Sequence, residues 1–473
     1  MAKVFNLAEK FKIGGYWWLP GTPEKRIYGQ LIYRPENVTE LELEGSFKES
    51  LKDTFEYISS PLIYGETTNG ISCTLVDAHE KPQTVHSSGN IASIFFCNKL
   101  FIGKELLDPD NALFESALVQ FSDFSTWLSH NPFNVKYPDT KSSRRVYNVS
   151  YTMPNLITTP VKSINASIKF EPSITSGGEN QAHKLVHSDE IRFIPKRKRD
   201  LKWYLDIIQK FRIFLSMLIG EPVNPISIRL CTKRRKLPHL GNKLYREYLD
   251  FCAPHYQSRK RRQLHYPDIL FPYPLIQKDF GKHLSNWYLK SGELKTSFQL
   301  YFGVLLQTDM PLEFRYLALI QAIESYQRLK KPNRYMSPRA YEPIKSRLIK
   351  AISDTVTSDH RAALKARIKY GYEYSLRKRL NIILTLIPKS LQKKITNNDP
   401  KFVDKVVTTR NYLTHRDDSD KINVLDTKGI LHASESLKLL LLILFLVEIE
   451  VDAMKIEHVI LTNWRFRSIQ RVK

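Results

Sequence analysis

The chain has 473 residues, more than one ordinary hydrophobic core can organise, so two or three domains are expected. Hydrophobic residues make up 42% and aromatic residues 11% of the chain, and these fractions exclude a disordered protein. Lysine and arginine number 72 against 48 aspartates and glutamates, which gives a formal net charge of +24. This excess favours polyanionic partners, with nucleic acid first and an anionic membrane surface second, although many basic proteins bind nothing specific.

The cysteines and the apolar segments indicate a cytoplasmic protein. None of the four cysteines forms a C-x-x-C pair, so neither a zinc site nor a disulfide framework is indicated, and a reducing compartment fits best. The opening residues "MAKVFNLAEKFKIGGYWW" lack the apolar stretch of a secretory signal. The most apolar run, "LLLLILFLV" at 439–447, is too short to span a bilayer and is typical of a buried helix.

The residues up to about 195 are predicted to form a β-rich domain, sandwich-like or barrel-like. Strand-like segments rich in β-branched and aromatic residues are separated by glycine, proline and asparagine. They lie at 26–33, 38–47, 71–78, 91–103, 144–153 and 166–174. One helix is predicted inside this domain, near 112–130. The aromatic segment "GYWWLPG" (15–21) is either a ligand platform or, more commonly, a core strand before a tight turn.

Residues 196–300 are predicted to be a helical, basic connecting region of the N-terminal part. "PKRKRD" precedes a helix at 201–220, whose apolar residues recur at helical spacing. Basic clusters follow at 232–236 and 258–265, and then several prolines break the pattern. Any of these clusters could follow an RNA backbone or simply be a solvated surface.

From 301 to 473 the chain is predicted to be all-α. Helical patterns lie at 312–331, 341–356, 375–387, 399–417 and 434–451. The predicted fold class is therefore α+β and multidomain, with a β-rich N-terminal domain (1–195) followed by a helical bundle (301–473).

The segment "TTRNYLTHRDD" (408–418) contains residues that suit RNA cleavage without a metal ion. His415 can transfer protons near neutral pH, Arg410 can stabilise a phosphorane, and Asn411 can add a neutral donor. Such chemistry needs a 2′-hydroxyl and is therefore confined to RNA. R-x4-H also arises often by chance, and then Arg410 would be a solvated helix residue and His415 a surface or capping group.

Helical geometry limits how these side chains can act together. Five residues turn an ideal helix by about 500°, which leaves Arg410 and His415 about 140° apart. They can converge if His415 lies where the helix ends, or if a two-fold axis brings two copies together.

The helical region resembles an ApeA-like HEPN domain over about residues 300–473. Its marks are "LALIQAIESY", the later "YSLRKRLNIILTLI" and then "TTRNYLTHRDD" ahead of a final hydrophobic helix. The HEPN motif is Arg, a polar residue, a short spacer and His, and Arg410, Asn411 and His415 fill it here. The start of the chain resembles the ApeA N-terminal domain through "GYWWLPG", "YGQLIY" and "LELEGSF", and the order of the two parts matches the family.

The resemblance implies a function. HEPN domains pair as dimers with the Arg/His motifs at the interface, and many are metal-independent endoribonucleases. ApeA-like proteins resemble abortive-infection effectors of bacterial anti-phage defence, which implies cleavage of host RNA, with tRNA as a candidate target, after a phage signal. We assign the N-terminal domain to sensing a phage-derived trigger or to restraint, by elimination.

Further residues are candidates for contact with RNA. Arg377, Lys378 and Arg379 share the helical domain with the motif, and Arg416 adjoins it. Glu324 lies at the edge of an apolar helix stripe and either approaches the motif or is a surface carboxylate. Asp417 and Asp418 either orient His415 or close the helix.

A metal site and a cofactor are not expected. "HKLVHSDE" (183–190) places His183 and His187 four residues apart ahead of Asp189 and Glu190, a spacing that would begin a metal site on a helix. The surrounding residues indicate loop and strand, and H-E-x-x-H is absent from the sequence.

Two other functions remain open. A HEPN protein that has lost activity would bind RNA or a partner protein without cleaving. A DNA-binding regulator fits the charge, but the sequence has no defensible helix-turn-helix signal.

Overall fold

A computed structural model describes residues 5–48, 58–81, 93–137, 147–179, 182–237, 243–254, 263–307, 309–330, 332–415 and 423–466. Within 234–237 and 243–245 it describes the backbone alone. The chain divides into two compact units, Met1–Gly281 and Lys282–Lys473.

Six antiparallel strands of the first unit close into a barrel. The strands are β1 (Phe11–Trp18), β2 (Ile27–Tyr33), β3 (Thr39–Leu43), β4 (Ser59–Thr67), β5 (Ser72–Glu80) and β6 (Ile94–Ile102). Their pairing order is β1-β2-β3-β6-β5-β4 and back to β1, so the ring has no free edge. Trp17 is fully buried and Trp18 nearly so, which confirms that "GYWWLPG" includes a core strand.

A second antiparallel sheet continues from β6. It runs β6-β14-β13-β7-β12-β11-β10, and β8 and β9 form a separate hairpin. The strands are β7 (Ser116–Phe121), β8 (Phe133–Lys136), β9 (Asn148–Tyr151), β10 (Ile157–Val161), β11 (Ala166–Glu179), β12 (Ala182–Pro195), β13 (Pro225–Leu237) and β14 (Lys243–Cys252). The first unit also contains the helices α1 (Phe124–Leu128), α2 (Leu201–Ile219) and α3 (Tyr273–Ile276).

Helix α2 covers one face of this sheet. Its N-cap Asp200 accepts a hydrogen bond from the Trp203 backbone N–H, and it ends at Gly220 in the left-handed conformation. The Phe211 ring lies 5.6 Å from that of Phe121 on β7 and 5.7 Å from that of Phe193 on β12. Burying this apolar helix face against the sheet builds the main core beside the barrel.

Two sequence-based expectations for this unit were wrong. The helix predicted at 112–130 is interrupted by strand β7, and only the short α1 within it is helical. The apolar run at 117–121 lies between β12 and β13 in the sheet, and a short apolar run does not by itself distinguish a buried strand from a helix. The helical connecting region predicted at 196–300 contains α2, but 225–252 includes strands β13 and β14, where clustered cations hid the alternating pattern.

The second unit is helical, as predicted. Its helices are α4 (Phe280–Glu293, whose first two residues belong to the first unit), α5 (Lys295–Leu306), α6 (Leu312–Leu329), α7 (Pro338–Lys350), α8 (Ser358–Lys369), α9 (Leu376–Thr385), α10 (Lys389–Thr396), α11 (Phe402–His415), α12 (Thr427–Glu448) and α13 (Ala453–Thr462). Phe445 of α12 lies 4.5 Å from the Phe298 ring and 5.2 Å from the Tyr301 ring of α5. The core of the bundle therefore surrounds α12.

Helix α12 contains the apolar run at 439–447 and is longer than that run. Among the described residues, α12 is the one helix whose length and apolar composition would allow it to cross a membrane. However, 72% of its most apolar window is buried inside the protein. The prediction of a buried helix segment is confirmed.

Candidate active site

Helix α11 carries the Arg/His motif and is fixed in the bundle by its opposite face. Phe402, Val406 and Thr409 are buried and recur at helical spacing. The buried Tyr316 hydroxyl on α6 donates to the Val406 carbonyl oxygen at 2.8 Å, and the Leu425 backbone N–H donates to Thr409 Oγ1 at 2.9 Å. Burial raises the pKa of Tyr316, so its hydroxyl remains a donor. These contacts fix the rotation of α11 and therefore which residues face solvent.

The polar residues of the motif lie on the other side of α11. Arg410 is half-buried, whereas Asn411, Thr414 and His415 are exposed. Arg410 Nη1 donates to Asn411 Oδ1 at 3.2 Å, and Thr414 Oγ1 donates to the Arg410 carbonyl oxygen at 2.7 Å. The first contact holds the guanidinium beside the amide, on the solvent side of the helix.

His415 is the last residue of α11, in agreement with the expected helix end. By helical geometry Asn411 lies about 100° from Arg410 and about 40° from His415, so the amide stands between the cation and the imidazole. Asp404, Thr408, Asn411 and His415 form one stripe along the helix because they are spaced by three or four residues. Among the described residues, one copy of α11 thus presents the motif on a convex surface, with Arg410 half-buried and Asn411 and His415 exposed.

The predicted RNA contacts fall in different environments. Arg377 on α9 is 54% exposed, and its Nε donates to Asp404 Oδ1 on α11 at 2.7 Å, which joins it to the stripe. Lys378 is exposed, with Nζ 6.0 Å from the Tyr374 ring centroid. Arg416, Asp417 and Asp418 lie outside the described residues.

Arg379 requires a correction, because its side chain is only 1% exposed and an RNA contact needs an accessible guanidinium. Its Nη1 donates to Gln327 Oε1, and its Nε donates to the Tyr374 carbonyl oxygen at 3.0 Å. Nη2 lies 3.4 Å from Glu373 Oε2. Arg379 therefore joins α9 to α6 inside the bundle.

Glu324 is a partner of Arg328. Its Oε1 lies 3.2 Å from Arg328 Nη2, and Arg328 Nη1 also contacts Glu373 Oε2 at 2.5 Å. The Glu324 carboxylate is thus paired with the arginine one helical turn further along α6.

Of the basic clusters in the first unit, one is fully described. Lys196, Arg197, Lys198 and Arg199 are all exposed, as expected for a cluster available to a polyanion. Lys198 Nζ also lies 3.4 Å from Glu115 Oε1. The side chains of 234–236 and all of 259–262 lie outside the described residues.

Sequence reasoning missed a basic stripe on α8. Arg361, Lys365 and Lys369 are spaced by four residues, and the two lysines are exposed. Arg361 pairs with Asp354 at 2.9 Å. The spacing in "RAALKARIK" was a signal available in the sequence.

The acidic and histidine residues of "HKLVHSDE" lie on strand β12 and not on a helix. His183 Nε2 lies 3.2 Å from Ser176 Oγ, and Glu190 Oε1 accepts from Arg229 Nη2 at 2.5 Å. His187 and Asp189 point to one face and are joined there by His130, which no local sequence signal linked to them.

Two family models match the chain. Residues 12–287 match ApeA N-terminal domain 1, and residues 317–455 match Apea-like HEPN. The first match alone covers more than half of the chain. The chain belongs to the ApeA family. No curated protein and no solved structure matches it.

The two matches confirm the family resemblance at both ends of the chain. The ApeA N-terminal match ends within α4, close to the boundary between the two compact units, so it includes strands β13 and β14. The HEPN match contains α9, α11 and α12, and therefore the whole Arg/His motif. The family is one of HEPN-type anti-phage effectors.

Proposed function

We propose that this ApeA-family chain is an endoribonuclease effector of anti-phage defence that cleaves RNA without a metal ion at Arg410, Asn411 and His415. The observation that carries the proposal is the arrangement of these residues on the solvent side of α11, inside the region that matches the HEPN model. Residues whose only role is packing would be expected to point into the bundle instead.

The chemistry follows from the residue types. The 2′-hydroxyl oxygen attacks the adjacent phosphorus, a base accepts the hydroxyl proton, and an acid protonates the departing 5′-oxygen. His415 carries out proton transfer, and the Arg410 guanidinium stabilises the charge that develops on the phosphorane oxygens. Asn411 is a supporting donor. The products are a 2′,3′-cyclic phosphate and a 5′-hydroxyl.

A homodimer supplies the second half of the site. Arg410 and His415 lie about 140° apart around one helix, so a single copy places one side chain on each flank of Asn411. A two-fold axis near Asn411 would set the Arg410 of each protomer opposite the His415 of the other and form a cleft between two convex surfaces.

RNA is the proposed substrate because the reaction requires its 2′-hydroxyl, and the family makes tRNA the first candidate. Arg377 lies at the Asp404 end of the motif stripe, and Lys378 next to it in the chain and the α8 stripe add further exposed cations. The N-terminal unit is proposed to sense a phage-derived trigger, and the cytoplasm is the compartment where both RNA and trigger occur.

The decisive experiment compares the wild type with His415→Ala during phage challenge in cells, at matched protein levels, with RNA ends mapped. His458→Ala is the matched control because His458 is also an exposed histidine, on α13. We expect wild type and His458→Ala to protect and to generate new ends bearing 2′,3′-cyclic phosphates, and His415→Ala to do neither.

The same experiment distinguishes the nuclease from a non-catalytic HEPN protein that binds RNA or a partner protein. Protection that survives His415→Ala without any new RNA ends would overturn the nuclease proposal in favour of an RNA-binding or interaction protein. Purified protein then provides the second readout, since the alternative expects RNA binding without cleavage.

A further inference from the structure

Two histidines and one aspartate converge in the first unit, remote in sequence from the Arg/His motif. One ligand-capable atom from each of His130, His187 and Asp189 lies within 4.8 Å of the others. Imidazole nitrogen and carboxylate oxygen are the donor atoms that Zn²⁺ and related divalent ions accept from proteins.

Strand geometry accounts for two of the three donors. His187 and Asp189 are two residues apart on β12, so their side chains project from the same face of the strand. The β12 backbone is fixed by pairing to β11 along its length and to β7 beyond Asp189. The Asp189 backbone N–H also donates to Ser125 Oγ on α1 at 3.1 Å, which ties the strand to this helix.

The end of α1 delivers the third donor. Ser129 takes a left-handed conformation with φ 59°, which is unfavourable for a residue other than glycine and reverses the chain after the helix. Its backbone N–H is satisfied by the Ser125 and Thr126 carbonyls. The chain then places His130 Nδ1 at 3.6 Å from Asp189 Oδ1.

The carboxylate at the centre of the cluster is incompletely satisfied. The Asp189 side chain has 0% exposure, and Oδ1 has no hydrogen-bond partner among the described residues. His130 Nδ1 is likewise buried without a hydrogen-bond partner in the described part of the chain. A buried carboxylate oxygen without a partner is costly, and a cation between Oδ1 and the imidazole nitrogen would satisfy both atoms.

The remaining histidine is already oriented through its other ring nitrogen. Tyr151 on β9 places its hydroxyl 3.0 Å from His187 Nδ1, while His187 Nε2 lies 2.8 Å from Asp189 Oδ2. A partner on the second nitrogen is the usual support of a metal-bound imidazole, because it fixes the ring and the tautomer.

We propose that His130, His187 and Asp189 bind one divalent transition-metal ion, with Zn²⁺ as the best-suited ion, in the N-terminal unit. This replaces the sequence-based expectation of no metal site. The proposal is independent of the proposed nuclease, because none of its residues belongs to the motif.

The donor set decides between classes of ion. Two imidazoles and one carboxylate suit Zn²⁺, whereas Mg²⁺ and Ca²⁺ prefer oxygen donors throughout. Three protein donors leave a fourth position of a tetrahedral ion for water or another group. The ion would join α1, β12 and, through Tyr151, the β8–β9 hairpin, so its main expected effect is to stabilise this part of the first unit.

The test uses the full chain, stripped of metal with a chelator and titrated with Zn²⁺ by calorimetry, and with Co²⁺ by its visible absorption. We expect one ion per chain, a Co²⁺ spectrum of a tetrahedral site with nitrogen and oxygen donors, and an increased melting temperature of the first unit with Zn²⁺ but not with Mg²⁺.

Three variants assign the ion to these residues. Tyr151→Phe should weaken Zn²⁺ binding by roughly 10- to 100-fold, and His187→Ala and the isosteric Asp189→Asn, which each remove or neutralise a direct ligand, should weaken it by at least as much. His183→Ala is the matched control, because His183 lies four residues away on the same strand, is exposed and contacts Ser176.

Either of two results would overturn the proposal. Wild type that binds no Zn²⁺ would show that the cluster is a hydrogen-bonded contact alone. Equal loss of Zn²⁺ binding in His183→Ala and His187→Ala would place the ion elsewhere. Circular dichroism of each variant distinguishes loss of a ligand from loss of the fold, and the partly exposed His130 provides a third substitution, His130→Ala, if Asp189→Asn unfolds.

Discussion

In the first unit the His187 side chain is 7% exposed and contacts Tyr151 and Asp189, whereas in the second unit His415 is exposed at the end of a helix. The first histidine is positioned by a strand, a helix and a hairpin that are distant in the sequence. The second is positioned by a helix whose opposite face is anchored by Tyr316 and Thr409. The same residue type is therefore enclosed by protein groups in one unit and accessible to an external substrate in the other.

This difference teaches how each region can work. A buried cluster is complete within one chain because its donors already face one another, so it suits a small ion. An exposed motif on a convex helix face requires a second surface to form a cleft, so it suits a large substrate and a second protomer. Substitutions of exposed motif residues should therefore change RNA cleavage or binding, whereas substitutions of buried polar residues should change the stability of the fold.

The largest expected effect is at the exposed motif. Arg410→Ala should lower RNA cleavage by about 10²- to 10³-fold, since it removes a positive charge from the transition state. Arg410→Lys should recover only part of the loss, because lysine keeps the charge but lacks the planar fork. Cleavage rates on a fixed RNA measure both.

The matched control is Arg347→Ala, which removes an exposed helical arginine from α7. If Arg410→Ala and Arg347→Ala both cleave RNA at the wild-type rate, the motif on α11 is not the cleavage site.

The next largest effect is expected on the free energy of unfolding, at the buried Arg379 of the same helical unit. Arg379→Ala should lower the free energy of unfolding by about 2 to 3 kcal/mol, because it leaves the Tyr374 carbonyl oxygen and the buried Gln327 amide oxygen without their charged donor, whereas Glu373 keeps Arg328. The adjacent, exposed Lys378→Ala should change it by less than about 0.5 kcal/mol. Denaturant unfolding followed by circular dichroism measures both, and equal effects would contradict the assignment of Arg379 to the core.

A smaller effect depends on pH and concerns the first unit. Burial raises the pKa of Asp250 from 3.8 to about 7, although Arg229 opposes the shift. The folded state therefore binds this proton more tightly than the unfolded state, and stability is lost as pH rises from about 4 to about 7.

Asp250→Asn should remove that loss. We expect the variant to match the wild type near pH 4 and to exceed its stability by roughly 2 to 4 kcal/mol at pH 8, as measured by the urea midpoint of the first unit. Asp206→Asn, an exposed aspartate on α2, serves as the control. A gain that does not depend on pH would contradict the stated cause.

The smallest effect is expected at the edge of the motif. Arg377→Ala should weaken RNA binding modestly and lower the slope of log affinity against log salt by about 1, as for loss of one phosphate contact. Lys282→Ala is the control, because Lys282 is another exposed cation, paired with Glu450 at 2.7 Å. An unchanged salt slope for Arg377→Ala would limit Arg377 to its contact with Asp404.

Local pattern predicted much of the fold. The strands β2, β3, β5, β6 and β11 and the helices α2, α6, α9, α11 and α12 carry apolar spacing that matches their observed burial, whereas the segment predicted at 144–153 contains the largely exposed strand β9. The failures came where pattern is ambiguous or obscured. Strand β7 is apolar on both faces and looked helical, and strand β13 contains a basic cluster that interrupted its alternation.

The two candidate sites differ in how far they could be predicted. Arg410, Asn411 and His415 lie within six residues of one another, so their grouping is visible in the sequence. His130 lies far from His187 in the chain, and only sheet pairing and the end of α1 bring the two together. Arg379 could not be recognised as a buried residue either, because three consecutive cations in the sequence do not indicate which one turns inward.

The sequence by itself determined the class of each unit, the family and the grouping of the motif residues, because periodicity and short motifs are local properties. The tertiary structure decided that the barrel closes on itself, that Arg379 is internal, that the motif faces solvent and that His130 meets Asp189. The physical reason is that strand pairing and side-chain burial depend on contacts between residues distant in the chain, which local spacing does not specify.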